Sequence, residues 1–343
     1  MISNLSKEIL EDGGDIIPLI IPSDTTNGTG LMNPSIFIDG DDILLNLRHV
    51  QYTFFYSEKE EKKFHSRWGP LVYIHPDDDY TLRTENYLCK LDPKTLEIKQ
   101  SCKVDTSDLD VKPVWEFIGL EDARLFKWYG KYYLCGVRRD TKTNGEGRME
   151  FSEIEFSFDR GSPYAKEIKR NRIQPPNDPD SYCEKNWMPI LDEPLHFVKW
   201  TNPTEIVEVD IDDNSSKTIF LADKYIPIPR NAPEHNGLSD LRGSSHVIQF
   251  GEGWLAFNHE VDNFKHETGW KDALYLHRLV YWDKDWNLKK VSEEFHMLDA
   301  TVEFGCGLAD YGDYVLYSFG FYDNCAYLAK IPKTLINKLL IDL

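Results

Sequence analysis

Five stretches of this 343-residue chain repeat one pattern, and that repetition limits the fold more than any other feature. Each has a polar start, a short apolar run, a turn, and then an aromatic-rich apolar run. They read NPSIFIDGDDILLNLRHV from Asn33, LEDARLFKWYGKYYLCGVR from Leu120, KNWMPILDEPLHFVKWTNP from Lys185, RGSSHVIQFGEGWLAFNHEV from Arg242 and VEFGCGLADYGDYVLYSFG from Val302. With DGDD, WYGK, LDEP, FGEG or DYGD at the centre, each has the form of a β-hairpin. A second pair of strand-like runs follows the first (TENYLCKLDPKTLEIKQSC), the third (TEIVEVDIDDNSSKTIF) and the fourth (ALYLHRLVYWDKDWNLKKVS). After the fifth, DNCAYLAKIPKTL is a shorter version.

Two hairpins per unit make a four-stranded sheet, and a period of roughly 60 residues suits the blade of a propeller. The expectation is an all-β chain folded as a single five-bladed β-propeller domain over 1–343, with short terminal extensions. Its blades fall at about 30–105, 115–160, 184–225, 240–295 and 300–332. A β-sandwich with fortuitously similar hairpins is the plainer alternative. Helices are expected only at the ends, over SNLSKEILEDGG and PKTLINKLLIDL. Segments 57–84 and 159–183 are charged and Pro-bearing, and read as long loops of the kind that cover a site.

Composition agrees and narrows the partners. With 18 Tyr, 18 Phe and 9 Trp, aromatics reach 13%, which favours strands. A net charge of −19 argues against nucleic acid or an anionic membrane surface. No stretch approaches the ~20 apolar residues of a membrane span. MISNLSKEILEDGG lacks the basic and apolar parts of a signal peptide, and the six cysteines are scattered without a CxxC. Both point to reduced, mostly buried thiols in a cytoplasmic protein. The acidic runs Asp77-Asp78-Asp79 and Asp210-Ile211-Asp212 read as solvated surface, and there is no Gly-rich phosphate loop. No cofactor and no metal are expected.

Against this background GLEDARLF, residues 119–126, stands out, because Glu121, Asp122 and Arg124 interrupt an apolar run. Such charges are costly unless they meet water, a partner or a substrate. In a propeller the first strand of each blade lines the central channel. The repeat therefore brings together Asn33, the Glu121-Asp122-Arg124 group, Lys185-Asn186, Arg242-Ser244-Ser245 and Glu303. Ends of the paired strands add Arg48, Arg138, Arg139, His259, Glu260 and Asp323. Carboxylates and amides bond hydroxyls, Trp187 and Trp115 can stack on sugar faces, and Arg, Lys and His can hold phosphate. Each residue also has a plain reading: Arg124 as the partner of Glu121, His259 as a core histidine, Asp323 as a turn cap.

These residues, in this order, resemble glycoside hydrolase family 130 over about residues 30 to 332. The resemblance rests on Asn33-Pro34, Gly119-x-Glu121-Asp122-x-Arg124, Lys185-Asn186, Gly243-Ser244-Ser245, Gly253-Trp254-Leu255 with His259, Glu303 and Asp323. That family consists mainly of β-mannoside phosphorylases on a five-bladed propeller, and the chain is also similar to the related mannosyltransferases of glycosyltransferase family 108. The resemblance implies Asp122 as general acid and base. It implies that Arg48, Arg138 or Arg139, Lys185 and His259 hold phosphate or diphosphate. Asn33, Arg48, Glu121, Arg124, Lys185, Asn186, Glu303 and Asp323 would contact the sugar.

Ala123 replaces the family's usual proline, and KNWMPI and RGSSHV depart from the phosphorylase form. The implied partners are a sugar or oligosaccharide acceptor and a phosphate, sugar-phosphate or sugar-nucleotide donor. Two alternatives stay open: a hydrolase using Glu303 or Glu260 as a second carboxylate, and a sugar-binding propeller without catalysis.

Overall fold

The structure is a computed structural model that describes residues 3–26, 29–51, 63–65, 72–74, 81–159, 161–177, 180–230, 237–265 and 271–343. All five hairpins form, and local turn chemistry explains their registers. Trp128 pairs with Lys131 across Tyr129 and Gly130, both at positive φ (51° and 77°). A two-residue turn of that hand matches the right-handed twist of its strands. Gly40, Gly251 and Gly312 sit at positive φ in three of the other turns.

The hairpins grow into five four-stranded antiparallel arrays. The first runs Leu31–Asp39, Asp42–Val50, Leu82–Leu91, Ile98–Asp105. The second runs Glu121–Trp128, Lys131–Arg138, Arg148–Ser157, Tyr164–Arg172. The third runs Met188–Pro189, His196–Thr201, Thr204–Asp210, Ser215–Leu221. The fourth begins with a split strand, Arg242–Gly243 and Ile248–Phe250, and continues through Gly253–Lys265, Lys271–Trp282 and Leu288–Val291. The fifth runs Glu303–Tyr311, Tyr314–Phe321, Cys325–Pro332, and its last strand is Asp15–Pro18.

Two sequence expectations are corrected here. The N-terminal segment is not an extension: Asp15–Pro18 completes the fifth sheet against Cys325–Pro332. Segment 159–183 is not all loop, because Tyr164–Arg172 is the outer strand of the second sheet and also pairs in parallel with Val104-Asp105 of the first. Its polar composition misleads because its inward carboxylate, Glu167, is buried and bonded by Ser152 and Arg170. Within 57–84, Lys63–His65 pairs with Val72–Ile74 and a strand begins at Leu82; the remaining loop positions there, and Asp77-Asp78-Asp79, lie outside the described residues. Helices α1 (Leu5–Glu11) and α2 (Lys333–Leu339) stand where the sequence placed them.

The five sheets touch one another in a closed cycle of hydrogen bonds at or beside their inner strands. Leu125 N–H donates to Ser35 Oγ (2.9 Å), and Arg124 Nη1 donates to Asn186 Oδ1 (3.3 Å). Val247 N–H donates to Pro189 O (2.9 Å), Leu308 N–H to His246 Nδ1 (3.2 Å) and Ile36 N–H to Ser318 Oγ (3.1 Å). Those bonds link first sheet to second, second to third, third to fourth, fourth to fifth and fifth back to first. Apolar layers fill the spaces between sheets. In one of them Phe126, Trp128, Phe151 and Phe197 pack with ring centroids 4.2–6.3 Å apart, so truncating any of these rings should cost about 3–5 kcal/mol.

Candidate active site

Asn33 and Asp122 occupy matching positions, each at the start of the inner strand of its sheet and each at positive φ (44° and 50°). At the same point both hairpins slip register, between Met32 and Ser35 and between Glu121 and Arg124. Such bulges re-aim side chains at functional sites, and left-handed backbone at non-glycine residues is strain the surroundings must hold. Facing glycines make room for it. A Cβ on Gly136 would lie 2.2 Å from Glu121 O, and one on Gly320 would lie 2.3 Å from Asn33 Oδ1.

The two bulges bring a carboxylate, an amide and a guanidinium together. Asp122 Oδ1 accepts from Asn33 Nδ2 and from Arg48 Nη1, both at 2.7 Å. Arg48 Nη2 lies 3.6 Å from Glu121 Oε2, and Arg48 is braced from behind by Thr84 Oγ1, which accepts from Nε (3.2 Å) and Nη2 (3.1 Å). Asp122 Oδ2 has no partner among the described residues and the side chain is 16% exposed, so one oxygen stays available. Asp323, also at positive φ (47°), lies near enough for Asp122, Glu121 and Arg48 to act on its charge.

Electrostatics separate these three carboxyls. Burial alone would raise Asp122, but Arg48, Arg124, the Asn33 hydrogen bond and Lys185 together hold it below the usual carboxylate range. Glu121 is raised, by burial first and then by the charge of Asp122, against Arg48, Arg139 and Lys185. Burial and the negative charges of Asp122 and Glu121 push Asp323 up to about 7, in spite of Arg48. One ionised carboxylate therefore sits beside carboxyls that keep a proton more readily. That division of labour is the pattern of acid–base sites.

Of the residues singled out in the sequence, Asn33, Arg48, Glu121, Asp122 and Asp323 gather here. Exposed Lys185 and half-buried Arg139 are close enough to act on Glu121. Several others do not fit the expected role. Arg124 is 1% exposed and its donors go to Ser244 O (2.9 and 2.7 Å), Asp122 O (2.6 Å) and Asn186 Oδ1 (3.3 Å), so it is a strut and not a sugar contact. Asn186 is held by that strut.

Glu303 is fully buried. Its oxygens accept from the backbone of Met297 (2.6 Å), Leu298 (2.8 Å) and Ala300 (3.1 Å), and His277 Nε2 lies 3.3 Å away, which leaves it no sugar to bind. Arg138 is enclosed by Glu150, Asp140 and Glu167, so its charge is already answered within the fold. His259 is buried against Tyr275 and Phe304, with Nδ1 2.9 Å from Ser244 Oγ. Burial, then Arg242, Lys185 and Arg124, push its pKa well down, so it is neutral and offers no cation. Glu260 is spent on Arg230, Arg278 and Ser239. Trp187 is 1% exposed and donates to Glu184, so it is core and not a stacking platform.

Two neighbours escaped the sequence reading. Thr84 braces Arg48, and the phenol of Tyr275 is pushed up to about 12 by burial and by Asp323 and Asp122. Neither carries a motif; both stand on third strands, away from the repeated polar starts. Among the described residues no group of three or more His, Cys, Asp and Glu side chains could hold a metal ion.

No protein-family model matches the chain, and no curated protein matches it in sequence. Solved structures do. One is β-1,2-mannobiose phosphorylase from Listeria innocua in complex with β-1,2-mannobiose, at 15% identity over 94% of this chain and 96% of that one, TM-score 0.53. Another is MPT-4, a mannose phosphorylase from Leishmania mexicana in complex with phosphate ion, at 10% identity over 98% and 95% of the two chains, TM-score 0.51. A third comes from work on the GH130 family of mannoside phosphorylases, which contains glycoside hydrolases that target β-1,2 mannosidic linkages in Candida mannan. It matches at 12% identity over 89% and 85%, TM-score 0.53. The chain thus has the all-β fold of the GH130 mannoside phosphorylases, and at these identities the likeness is one of fold.

Proposed function

We propose that the chain is a carbohydrate-active enzyme that moves a mannosyl or related hexosyl unit, with inversion, between a sugar 1-phosphate and a hydroxyl acceptor. Asp122 is its general acid and base. The five sheets are the blades of one five-bladed β-propeller, a reading supported by the closed cycle of hydrogen bonds from sheet to sheet. The observation that carries the function is the state of Asp122: ionised, gripped through one oxygen by Arg48 and Asn33, with the other oxygen available.

An inverting hydrolase needs a second carboxylate to activate water. Glu303 and Glu260, the candidates for that role, are both occupied. Phosphate is already an anionic nucleophile and needs only a cationic cradle, which Arg48, Lys185 and Arg139 supply. In synthesis the acceptor oxygen attacks the anomeric carbon and its proton passes to Asp122, directly or through a sugar hydroxyl. The bond from that carbon to the phosphate oxygen breaks, and phosphate leaves toward the cations. In phosphorolysis a phosphate oxygen attacks and protonated Asp122 returns the proton to the glycosidic oxygen. Arriving phosphate competes for Arg48 and so raises the proton affinity of Asp122 when a proton is needed. Glu121 and Asp323 hold sugar hydroxyls. The phosphate-bound and mannobiose-bound phosphorylases of the same fold support this choice of partners.

The test is purified protein with mannose 1-phosphate and a panel of sugar acceptors, with Asp122→Asn alongside. Phosphate release that depends on both acceptor and Asp122 supports the reading. Free mannose from mannobiose without added phosphate would make it a hydrolase, and GDP from GDP-mannose a nucleotide-dependent transferase. Sugar binding without turnover on any donor would leave a binding protein.

A further inference from the structure

A cavity of about 340 Å³ lies between the first and second sheets, beside the Asp122 group but not lined by it. Its walls carry Arg83, Lys103, Arg138 and Arg170 together with Glu85, Asp110, Asp140 and Glu167. Most of these charges answer one another. Lys103 lies on Glu85, Arg138 on Glu150, and Arg170 on Glu167 and Asp110. Two groups are left over. The Arg83 side chain makes no hydrogen bond, ion pair or ring contact among the described residues. Asp140 is 6% exposed; its Oδ2 accepts from Gly119 N–H (2.9 Å) and faces Arg138 (3.5 Å), while Oδ1 is buried without a partner.

An unpaired guanidinium matches an anion, and a buried unpaired carboxylate oxygen calls for a hydrogen-bond donor. One small molecule can answer both. Val104, Ile118 and Leu134 add apolar wall for the C–H face of such a molecule. The volume lies near the lower end of the roughly 300–1,000 Å³ usual for small-molecule sites, the size of a single sugar ring with one substituent. We propose that this cavity is a second binding site, separate from the glycosyl-transfer centre, for a small hydroxylated anion such as a sugar phosphate or sugar acid. Its anionic group sits on Arg83 and a hydroxyl donates to Asp140. The site also reaches the catalytic group: Thr84 stands in its wall and accepts from Arg48, and Asp140 holds Gly119 just before Glu121 and Asp122.

The experiment is isothermal titration of the full chain with glucose 6-phosphate and with gluconate, which separate the phosphate from the carboxylate source. Arg83→Met and Asp122→Asn are titrated beside the wild type. The Arg83 side chain makes no hydrogen bond or ion pair among the described residues, so its variant should fold normally. At least one probe should bind one to one, weaken roughly tenfold or more in Arg83→Met, and bind unchanged to Asp122→Asn. No binding of either probe up to about 10 mM would overturn the proposal. So would an affinity indifferent to Arg83→Met, and so would binding lost in Asp122→Asn, which would assign the probe to the glycosyl-transfer site instead.

Discussion

Two charged clusters in this molecule use the same residue types to opposite ends. Beneath the fourth sheet, Arg230 and Arg278 face Glu260 and Glu294, and Ser239 Oγ donates to Glu260 Oε1 (2.7 Å). Two cations meet three carboxylates: Arg278 Nε lies 2.7 Å from Glu260, and Arg230 lies 2.9 Å from both Glu294 and Asp262. At the Asp122 site one buried guanidinium, Arg48, is shared among Glu121, Asp122 and Asp323. The surrounding cations Lys185 and Arg139 stand at partly open positions, and the backbone is left-handed at Asn33, Asp122 and Asp323. A count of charges does not distinguish the clusters. Closeness of pairing and backbone strain do: each carboxylate beneath the fourth sheet has a guanidinium nitrogen within 2.9 Å, whereas Glu121 and Asp122 share Arg48 beside left-handed backbone.

The sharpest way to break the contrast is to exchange the consequences. Asp122→Asn keeps the shape of the site but loses the proton acceptor, so the rate of sugar transfer should fall about 10²–10⁴-fold while the melting temperature stays close to wild type. A melting temperature that collapsed along with the rate would mean that Asp122 is structural after all. The paired cluster should behave in reverse. Glu260→Ala leaves two arginines buried against reduced countercharge, and should cost about 3–5 kcal/mol in denaturant unfolding. Below its melting temperature it should keep its kcat. A lost kcat in a folded Glu260→Ala protein would instead return Glu260 to the list of reacting groups.

A smaller effect probes the shared guanidinium. Arg48 contacts Asp122, Glu121 and Thr84 with a planar fork that an ammonium cannot reproduce. Arg48→Lys should therefore lower kcat/KM by roughly 10–100-fold, the cost of about 1.5–3 kcal/mol in lost charge-assisted bonds. Titration of inorganic phosphate against the variant should show weaker binding too. Unchanged phosphate affinity would move the cradle to Lys185 and Arg139.

How far the sequence reached follows from the same contrast. Hairpins were legible because turn residues and aromatic runs act locally, as at Tyr129-Gly130. The strand Tyr164–Arg172 was not, since YAKEIKRNR has the composition of a loop and its parallel partner, Val104, lies far along the chain. Asp15–Pro18 closes a sheet with the other end of the molecule, a pairing no local pattern announces. Within the site, repeat positions located Asn33, Arg48, Glu121, Asp122 and Asp323. They located Arg124, Glu303 and His259 equally well, and these turned out to be spent. Whether a carboxylate is free depends on where its oxygens point. For Glu303 the answer lies in the backbone of Met297, Leu298 and Ala300, groups that every residue carries and no motif marks.

The mildest expected effect concerns the proton on Asp323. Burial and its acidic neighbours hold that carboxyl at about 7 in the folded chain, above its ordinary 3.8. Between those values the folded state binds the proton more tightly than the unfolded one, so stability falls as pH rises across that window. Ionisation also adds a negative charge beside Arg48, part of the proposed phosphate cradle. Phosphate affinity should therefore drop several-fold as pH climbs from about 6 to about 8, in excess of any change due to phosphate's own ionisation. Asp323→Asn cannot ionise, so it should flatten this dependence and raise the melting temperature more at pH 8 than at pH 5. If the wild type and Asp323→Asn shared one pH profile for phosphate binding, the carboxyl would keep one protonation state across this range. A proton exchanged at Asp323 would then play no part in how the site meets its negative charge.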